Sequence, residues 1–200
     1  IYDEEALDQL RADNPSFYSA QILLRPTEGN QTAFNLAHLK SFEWENERQI
    51  RFQDNDKRLR FERIPDLQTI ISIDPAISAK STAARSAVVV CGSNGSAIFL
   101  LESWAQRCSP TVLATKIIEF CRRYRPSRVI IESVAYQMAI AEILTYMAKE
   151  AKLGTLPIFE YKSGSSNKKP MRIAGLQPYF QKGFFYYHPH SQKNFLEEYT

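Results

Sequence analysis

The spacing of apolar residues predicts three strands, followed by an alternation of helices and strands. Apolar runs over 69–74, 86–92 and 97–101 have the length of buried strands. Between the last two runs, Ser93-Asn94-Gly95 is a tight hairpin signal. We therefore expect these three strands to form an antiparallel meander.

Beyond residue 109 the apolar spacing becomes helical. Ser109 and Pro110 have the residue types of an N-cap and a first helical turn. The apolar face of this first helix comprises Leu113, Ile117, Phe120, Cys121 and Tyr124. Further strands are predicted over 128–132, 156–161 and 184–188, with a second helix ending at Gly154 and a third over 170–182. Because crossover helices join parallel strands, the pattern predicts a mixed α/β sheet with helices on both faces.

Composition allows a sizeable core and excludes several classes of protein. Of the 200 residues, 44% are hydrophobic, yet no apolar run approaches the length of a membrane span, and no secretion signal opens the chain. The 25 Lys and Arg residues against 22 Asp and Glu permit a nucleic-acid partner without requiring one. The three cysteines form no CxxC pair, and we interpret Cys91 and Cys121 as buried small residues in a reducing compartment.

The N-terminal part of the chain differs from the rest. Residues 1–65 are rich in charge and poor in periodic apolar positions. We predict an arm or linker over 1–65 and the main domain over 66–200. Because the first residue is not methionine, we expect the chain to be a piece of a longer protein.

Two carboxylates end apolar runs that predict strands. If the strands of Asp74 and Glu132 are parallel neighbours, both side chains emerge at the sheet edge where open α/β sheets place their chemistry. Oxygen ligands without a nearby His or Cys cluster favour Mg²⁺ or Mn²⁺, and two such ions about 4 Å apart hydrolyse phosphodiesters. The alternative is structural: Asp74 caps the Asp-Pro turn and Glu132 caps the next helix.

Basic residues form two clusters along the chain. Lys168, Lys169 and Arg172 follow the predicted strand 156–161 and could hold phosphates near the sheet edge, or simply be a solvated helix start. The second cluster, which includes Arg122 and Arg125, is interpreted as a solvated helix end favoured by the helix dipole. A P-loop is excluded because Asp74 and Ala79 occupy its two glycine positions, so the chain contains no ATPase motor.

These residues together resemble the C-terminal nuclease domain of tailed-phage large terminase subunits. The cues are Ile-Ser-Ile-Asp74-Pro-Ala, then Val-Ile-Ile-Glu132-Ser-Val-Ala-Tyr-Gln 58 residues on, and then Lys168, Lys169 and Arg172 opening a helix. The N-terminal Asn-Pro-Ser-Phe-Tyr-Ser-Ala-Gln-Ile-Leu-Leu-Arg-Pro stretch is similar to that family's passage from ATPase to nuclease.

The resemblance implies an RNase H/integrase-like fold and a metal-dependent endonuclease that cuts concatemeric double-stranded viral DNA. It implies Asp74 and Glu132 as catalytic ligands of two Mg²⁺ or Mn²⁺ ions, and Lys168, Lys169 and Arg172 as DNA contacts. The implied partners are DNA, the portal protein and the small terminase subunit, in the cytoplasm of the infected bacterial host. Residues 1–65 would then follow an absent ATPase domain.

One departure from the family concerns its third acidic ligand. That ligand usually sits in a His-Asp-Asp-type segment opening a C-terminal helix, and the sequence stops about where the lead-in would be, so we expect C-terminal truncation. Glu197 and Glu198 are poor substitutes because their pattern is that of a helix surface. Two alternatives stay open: another RNase H-like nuclease of the resolvase or integrase type, and a non-catalytic module that binds DNA or the portal.

Overall fold

Period-two alternation of buried and exposed residues produces a nine-stranded sheet in the computed structural model, which describes residues 38–76, 85–132, 137–161 and 175–189. The strands are β1 (Lys40–Asn46), β2 (Gln49–Gln53), β3 (Leu59–Arg63), β4 (Gln68–Asp74), β5 (Ser86–Ser93), β6 (Ile98–Gln106), β7 (Arg128–Glu132), β8 (Ile158–Tyr161) and β9 (Phe185–Tyr187). The helices are α1 (Pro110–Tyr124), α2 (Gln137–Glu150) and α3 (Gln177–Gln181), with a 3-10 turn at Ile64–Asp66. The spatial order of the strands is β3-β2-β1-β9-β6-β5-β4-β7-β8.

The centre of the sheet has the predicted mixed topology. Strands β4, β5 and β6 are antiparallel neighbours. Strand β7 pairs in parallel with β4, and β8 pairs in parallel with β7. Parallel strands need crossover connections, which α1 and α2 supply. The α/β sheet with three antiparallel strands followed by parallel ones is therefore confirmed.

Three strands in the charged region before residue 66 were not predicted. Strand β1 pairs in parallel with β9, and β2 and β3 follow it antiparallel. Their apolar alternation is short, with Phe42, Ile50 and Phe52 buried between polar or charged neighbours. The rings of Phe42 and Phe52 pack edge-on against Phe99 of β6 at centroid distances of 6.0 and 4.9 Å. The division of the chain at residue 65 stays a prediction.

Helix α1 has the predicted start and buried face. The Ser109 side chain accepts a hydrogen bond from the Val112 N–H at 3.4 Å, and Pro110 is the first helical residue. The five residues predicted for its apolar face are all buried. The helix ends at Arg125, which adopts a left-handed conformation with φ 46°. Glycine is the residue usually preferred there.

The two long helices, α1 and α2, lie on the same face of the sheet. Helices α1 and α2 contact each other, and their buried residues join the core cluster that contains Ile71, Ile73, Val129 and Ile131. Both crossovers step across the sheet in the same direction, and right-handed connections then place their helices on the same side.

The end of α2 and the extent of α3 differ from the predicted helix boundaries. Gly154 was predicted to end the second helix, but α2 ends at Glu150 and Lys152, with φ 55°, is the first left-handed residue after it. Of the predicted helix 170–182, residues 170–174 lie outside the described part of the chain, and α3 covers only Gln177–Gln181. None of the described helices is long and apolar enough to cross a membrane.

We expect the stability of the protein to fall above pH 8 because of Cys121. Burial raises the pKa of this thiol to about 12 from an ordinary value of 9.0. The unfolded chain therefore releases its proton first, and stability present below pH 9 is lost as pH rises toward 12. The free energy of unfolding, measured in urea, should fall by about 1 kcal/mol between pH 8 and pH 9.5 through this group. The Cys121→Ala variant should show a correspondingly flatter pH dependence.

The control for this prediction is Cys108→Ala, because Cys108 is only half-buried. Its pH dependence should match that of the parent chain. Equal slopes for Cys121→Ala and the parent would contradict the prediction, whatever the absolute stability of the variant.

Candidate active site

Asp74 and Glu132 are the last residues of two neighbouring parallel strands. Strands β4 and β7 pair with Ile73 opposite Ile131, so the next position on each strand holds Asp74 and Glu132 respectively. Adjacent strands lie about 4.8 Å apart. The parallel register thus brings the two predicted site residues to neighbouring positions at one end of the sheet.

Both carboxylates are on the face opposite the helical core. Ile73 and Ile131, one position earlier, are each only 1% exposed because they point toward α1 and α2. Successive side chains of a strand alternate between faces, so Asp74 and Glu132 point to the other face together. Asp74 is exposed and Glu132 is half-buried, which leaves both accessible from solvent.

A buried serine fixes the backbone that follows Asp74. Ser86, at the start of β5, is 2% exposed, and its Oγ accepts a hydrogen bond from the Ala76 N–H at 3.0 Å. The neighbouring residue Ala87 is paired with Asp74 in the antiparallel ladder. The antiparallel ladder with β5 therefore holds Asp74 itself, and Ser86 holds the backbone two residues after it. A single polar residue at a strand start gives no sequence signal of this long-range role.

Strand β8 adds an aromatic border that sequence reasoning missed. Tyr161 is paired with Glu132, and Phe159 with Ile130, so both rings share the face of the carboxylates. They are 44% and 49% exposed. The guanidinium carbon of Arg128 lies 5.4 Å from the centroid of the Phe159 ring. The alternation of β8 could have indicated this face, but only once the β7–β8 register was known.

The donor set suits a hard divalent cation. Mg²⁺ is commonly held by one or two carboxylates and completes its shell with waters and substrate phosphate oxygens. Two solvent-accessible carboxylates on adjacent strands match that requirement. Within the described ranges, no group of three or more His, Cys, Asp and Glu side chains is arranged to hold a metal. The pair thus fits as part of a metal shell rather than as a complete protein cage.

Helix α2 is described from Gln137 onward, and residues 133–136 lie outside the described residues, so the alternative role of Glu132 as a helix cap stays a prediction. In the turn that follows Asp74, the Ala76 N–H donates its hydrogen bond to the Ser86 Oγ.

The other predicted site residues, Lys168, Lys169 and Arg172, lie outside the described residues, so their role as DNA contacts stays a prediction.

Comparison with protein-family models and with curated protein sequences gives no match. Solved structures do match. The large terminase nuclease from thermophilic phage G20c with bound magnesium aligns with a TM-score of 0.53 and 20% identity, over 86% of this chain and 80% of that one. The large terminase from a second thermophilic bacteriophage aligns with a TM-score of 0.53 and 11% identity, over 99% of this chain. That alignment covers only 43% of the second terminase, so this chain spans less than half its length.

The class of structure follows from these matches and from the sheet topology. The chain has an RNase H-like fold, the mixed sheet with flanking helices that was predicted. More particularly, it has the fold of the nuclease domain of large terminases. The predicted resemblance is thereby confirmed at the level of the fold.

Replacing Ser86 by alanine should destabilise the site end of the sheet. The variant leaves the partly buried Ala76 N–H without its acceptor, and an unsatisfied buried donor costs about 1–3 kcal/mol. The measurement is the free energy of unfolding from urea denaturation.

Ser93→Ala provides the matched control for that measurement. The Ser93 Oγ also accepts a backbone N–H, from Gly95 at 3.1 Å, but on an exposed hairpin where water can replace it. We expect its cost to stay below about 0.5 kcal/mol. Equal costs for the two serines would show that Ser86 has no special structural role.

Proposed function

We propose that this chain is a metal-dependent endonuclease of the terminase type that hydrolyses phosphodiester bonds of double-stranded DNA. The observation that carries the proposal is the neighbouring position of Asp74 and Glu132 at the ends of parallel strands. The fold shared with large terminase nucleases supports it, and one of those was solved with bound magnesium.

Asp74 and Glu132 would hold the cations. Divalent cations bound there would lower the pKa of the attacking water and stabilise the leaving oxygen. Strand β4 lies between β5 and β7, so Asp74 would hold a cation from the centre of the sheet. Glu132, half-buried beside Tyr161, would hold one ion from the flank.

The reaction needs no nucleophilic side chain. Water forms a new bond to phosphorus, the bond from phosphorus to the 3′ oxygen breaks, and the proton lost by water ends on that oxygen. The work of this chain is to orient the scissile phosphate and to hold negative charge at fixed positions. The exposed rings of Phe159 and Tyr161 border the site on the β8 side and would limit how the DNA strand approaches.

The substrate and partners follow from the same proposal. Lys168, Lys169 and Arg172 would contact DNA phosphates, which carry no base information, so cutting would be largely sequence-neutral. The terminase assignment adds concatemeric viral DNA as substrate, Mg²⁺ or Mn²⁺ as cofactor, and the portal protein and small terminase subunit as partners. The place of action would be the cytoplasm of the infected bacterial host.

Nicking of supercoiled plasmid tests the proposed activity. We expect cleavage in Mn²⁺ or Mg²⁺ that disappears in EDTA. Asp74→Asn and Glu132→Gln should each lower the rate at least about 100-fold, because each ligand holds an ion that contributes several kcal/mol of charge stabilisation. Both variants should also weaken Mn²⁺ binding measured by calorimetry without DNA.

Glu160→Gln is the matched control for both carboxylate variants. Glu160 is paired with Ile131, so it lies at the same end of the sheet but on the opposite face. Its activity and Mn²⁺ affinity should equal those of the parent chain. A decrease in activity in Glu160→Gln equal to that in Glu132→Gln would remove the assignment of Glu132.

Two other results would replace the proposal by its alternatives. Strong preference for a four-way junction over linear duplex would indicate a resolvase-type nuclease. Duplex binding with no metal-dependent cleavage, in this chain and in one extended at its C-terminus, would indicate a non-catalytic DNA-binding module.

A further inference from the structure

A second concave surface lies at the opposite end of the sheet from the carboxylates. It is a cavity of about 690 Å³ between the β1–β2 turn, the 3-10 turn and the last turn of α1. Its apolar lining comprises Ile64, Pro65 and Leu67. We call it the arginine cleft because four of its lining residues are Arg48, Arg122, Arg123 and Arg125.

The charge of the arginine cleft is concentrated and largely uncompensated. Its four arginines are accompanied by one acid, Glu47, so it carries as much excess positive charge as the whole chain, whose net charge is +3. Arg123 is paired with Glu102 at 3.2 Å. Within the part of the chain that the structure describes, Arg48, Arg122 and Arg125 form no salt bridge.

The helix dipole explains only part of this cluster. Cations near a helix C-terminus interact favourably with its carbonyl groups, which accounts for Arg122 and Arg123 as the sequence predicted. Arg48 belongs to the turn between β1 and β2 and does not share that explanation. Its carbonyl accepts the Ile64 N–H at 2.8 Å, which ties this turn to the wall of the cleft.

Arg125 adopts a backbone conformation that is sterically unfavourable for a residue other than glycine. Its φ of 46° is in the left-handed region, which glycine adopts without steric cost. Residues held in sparsely populated conformations often serve a functional site. Here the unfavourable backbone carries a guanidinium that lines the cleft.

The ligand that fits this lining is a phosphate backbone rather than a base. Guanidinium groups bind phosphate oxygens through paired hydrogen bonds. Tyr124 is the one aromatic residue that lines the cleft; it is 4% exposed, and its hydroxyl donates to Glu102 at 2.6 Å. It therefore offers no open ring on which a base could stack. Recognition would be through phosphates alone.

We propose that the arginine cleft is a second nucleic-acid contact, which binds the phosphodiester backbone of DNA away from the carboxylate pair. Leu67, in its lining, directly precedes β4, and Asp74 ends that strand about 20 Å further on. The carboxylates and the helix α1 that carries the cleft's C-terminal arginines are on opposite faces of the sheet. The proposal takes DNA as the polymer from the proposed function but does not depend on cleavage.

The test is fluorescence anisotropy of a labelled duplex of about 30 base pairs in EDTA, with the full 200-residue chain. We expect the variant R48Q/R122Q/R125Q to bind at least about 10-fold more weakly. The magnitude of the logarithmic salt slope should fall by about 0.9 for each phosphate interaction that the substitutions remove. The assay contains EDTA and measures binding alone, so this result is independent of the nuclease assignment.

The matched control removes three other exposed charges. Arg58, Lys149 and Lys152 are exposed, lie outside the cleft and form no salt bridge within the described residues. The variant R58Q/K149Q/K152Q should retain the parent affinity and salt slope. An equal decrease in affinity in both triple variants would overturn the proposal, because it would indicate nonspecific attraction by net charge. Unchanged binding in the cleft variant would overturn it as well.

Competition separates DNA from other anions. Suppose that tripolyphosphate or polyglutamate binds the cleft of the parent chain, while R48Q/R122Q/R125Q binds the duplex as tightly as the parent chain does. The site would then be assigned to a free polyphosphate or an acidic protein. That outcome would also overturn the DNA proposal.

Arg125→Gly gives a prediction that a purely structural role would not produce. Glycine relieves the left-handed backbone, so the melting temperature should rise by about 2–4 °C. DNA affinity should nevertheless fall about three-fold or more because the guanidinium no longer binds a phosphate. A rise in stability with unchanged affinity would show that Arg125 does not contact DNA.

Discussion

The parallel register between β4 and β7 is the constraint on which the site depends. It aligns two strands that are separated by β5, β6 and α1 in the sequence, and it makes their last residues neighbours. A shift of one residue would turn every side chain of β7 to the opposite face and bury Glu132 against α1 and α2. The cost of burying that charge opposes the shift. The shift would also move Val129 and Ile131, now 0% and 1% exposed, out of the core. The hydrophobic core therefore fixes the geometry of the polar site.

The placement of both long helices on one face has a functional consequence. Because α1 and α2 cover the buried residues of β4 and β7, the core beneath these strands is built on that side. The opposite face of these strands keeps polar or half-buried residues such as Ser72, Asp74 and Glu132. The sheet thus separates the hydrophobic core from the carboxylate pair, and neither α1 nor α2 covers the carboxylates.

Local patterns predicted the centre of the fold because its elements have strong local signals. The apolar run that ends at Asp74 and the Ser109-Pro110 start of α1 act within a few residues, and both are found as predicted. Strands β1 to β3 lacked such a signal, because Phe42 and Phe52 pack against Phe99 and Tyr186, which lie far along the chain. The same limit applies to Tyr161 and Ser86, whose positions depend on pairing between distant strands.

If the proposal holds, the arginine cleft would let a nearly neutral chain interact with a highly charged polymer. A net charge of +3 spread evenly over the surface would attract DNA weakly and without orientation. Concentrating the excess in one cavity would restrict phosphate contact to a defined place, at the end of the sheet where β4 begins. The carboxylate pair at the other end repels phosphate until cations are bound there. DNA held first at the arginine cleft would be retained by contacts that need no metal, and the few phosphates involved would keep that attachment reversible at physiological salt.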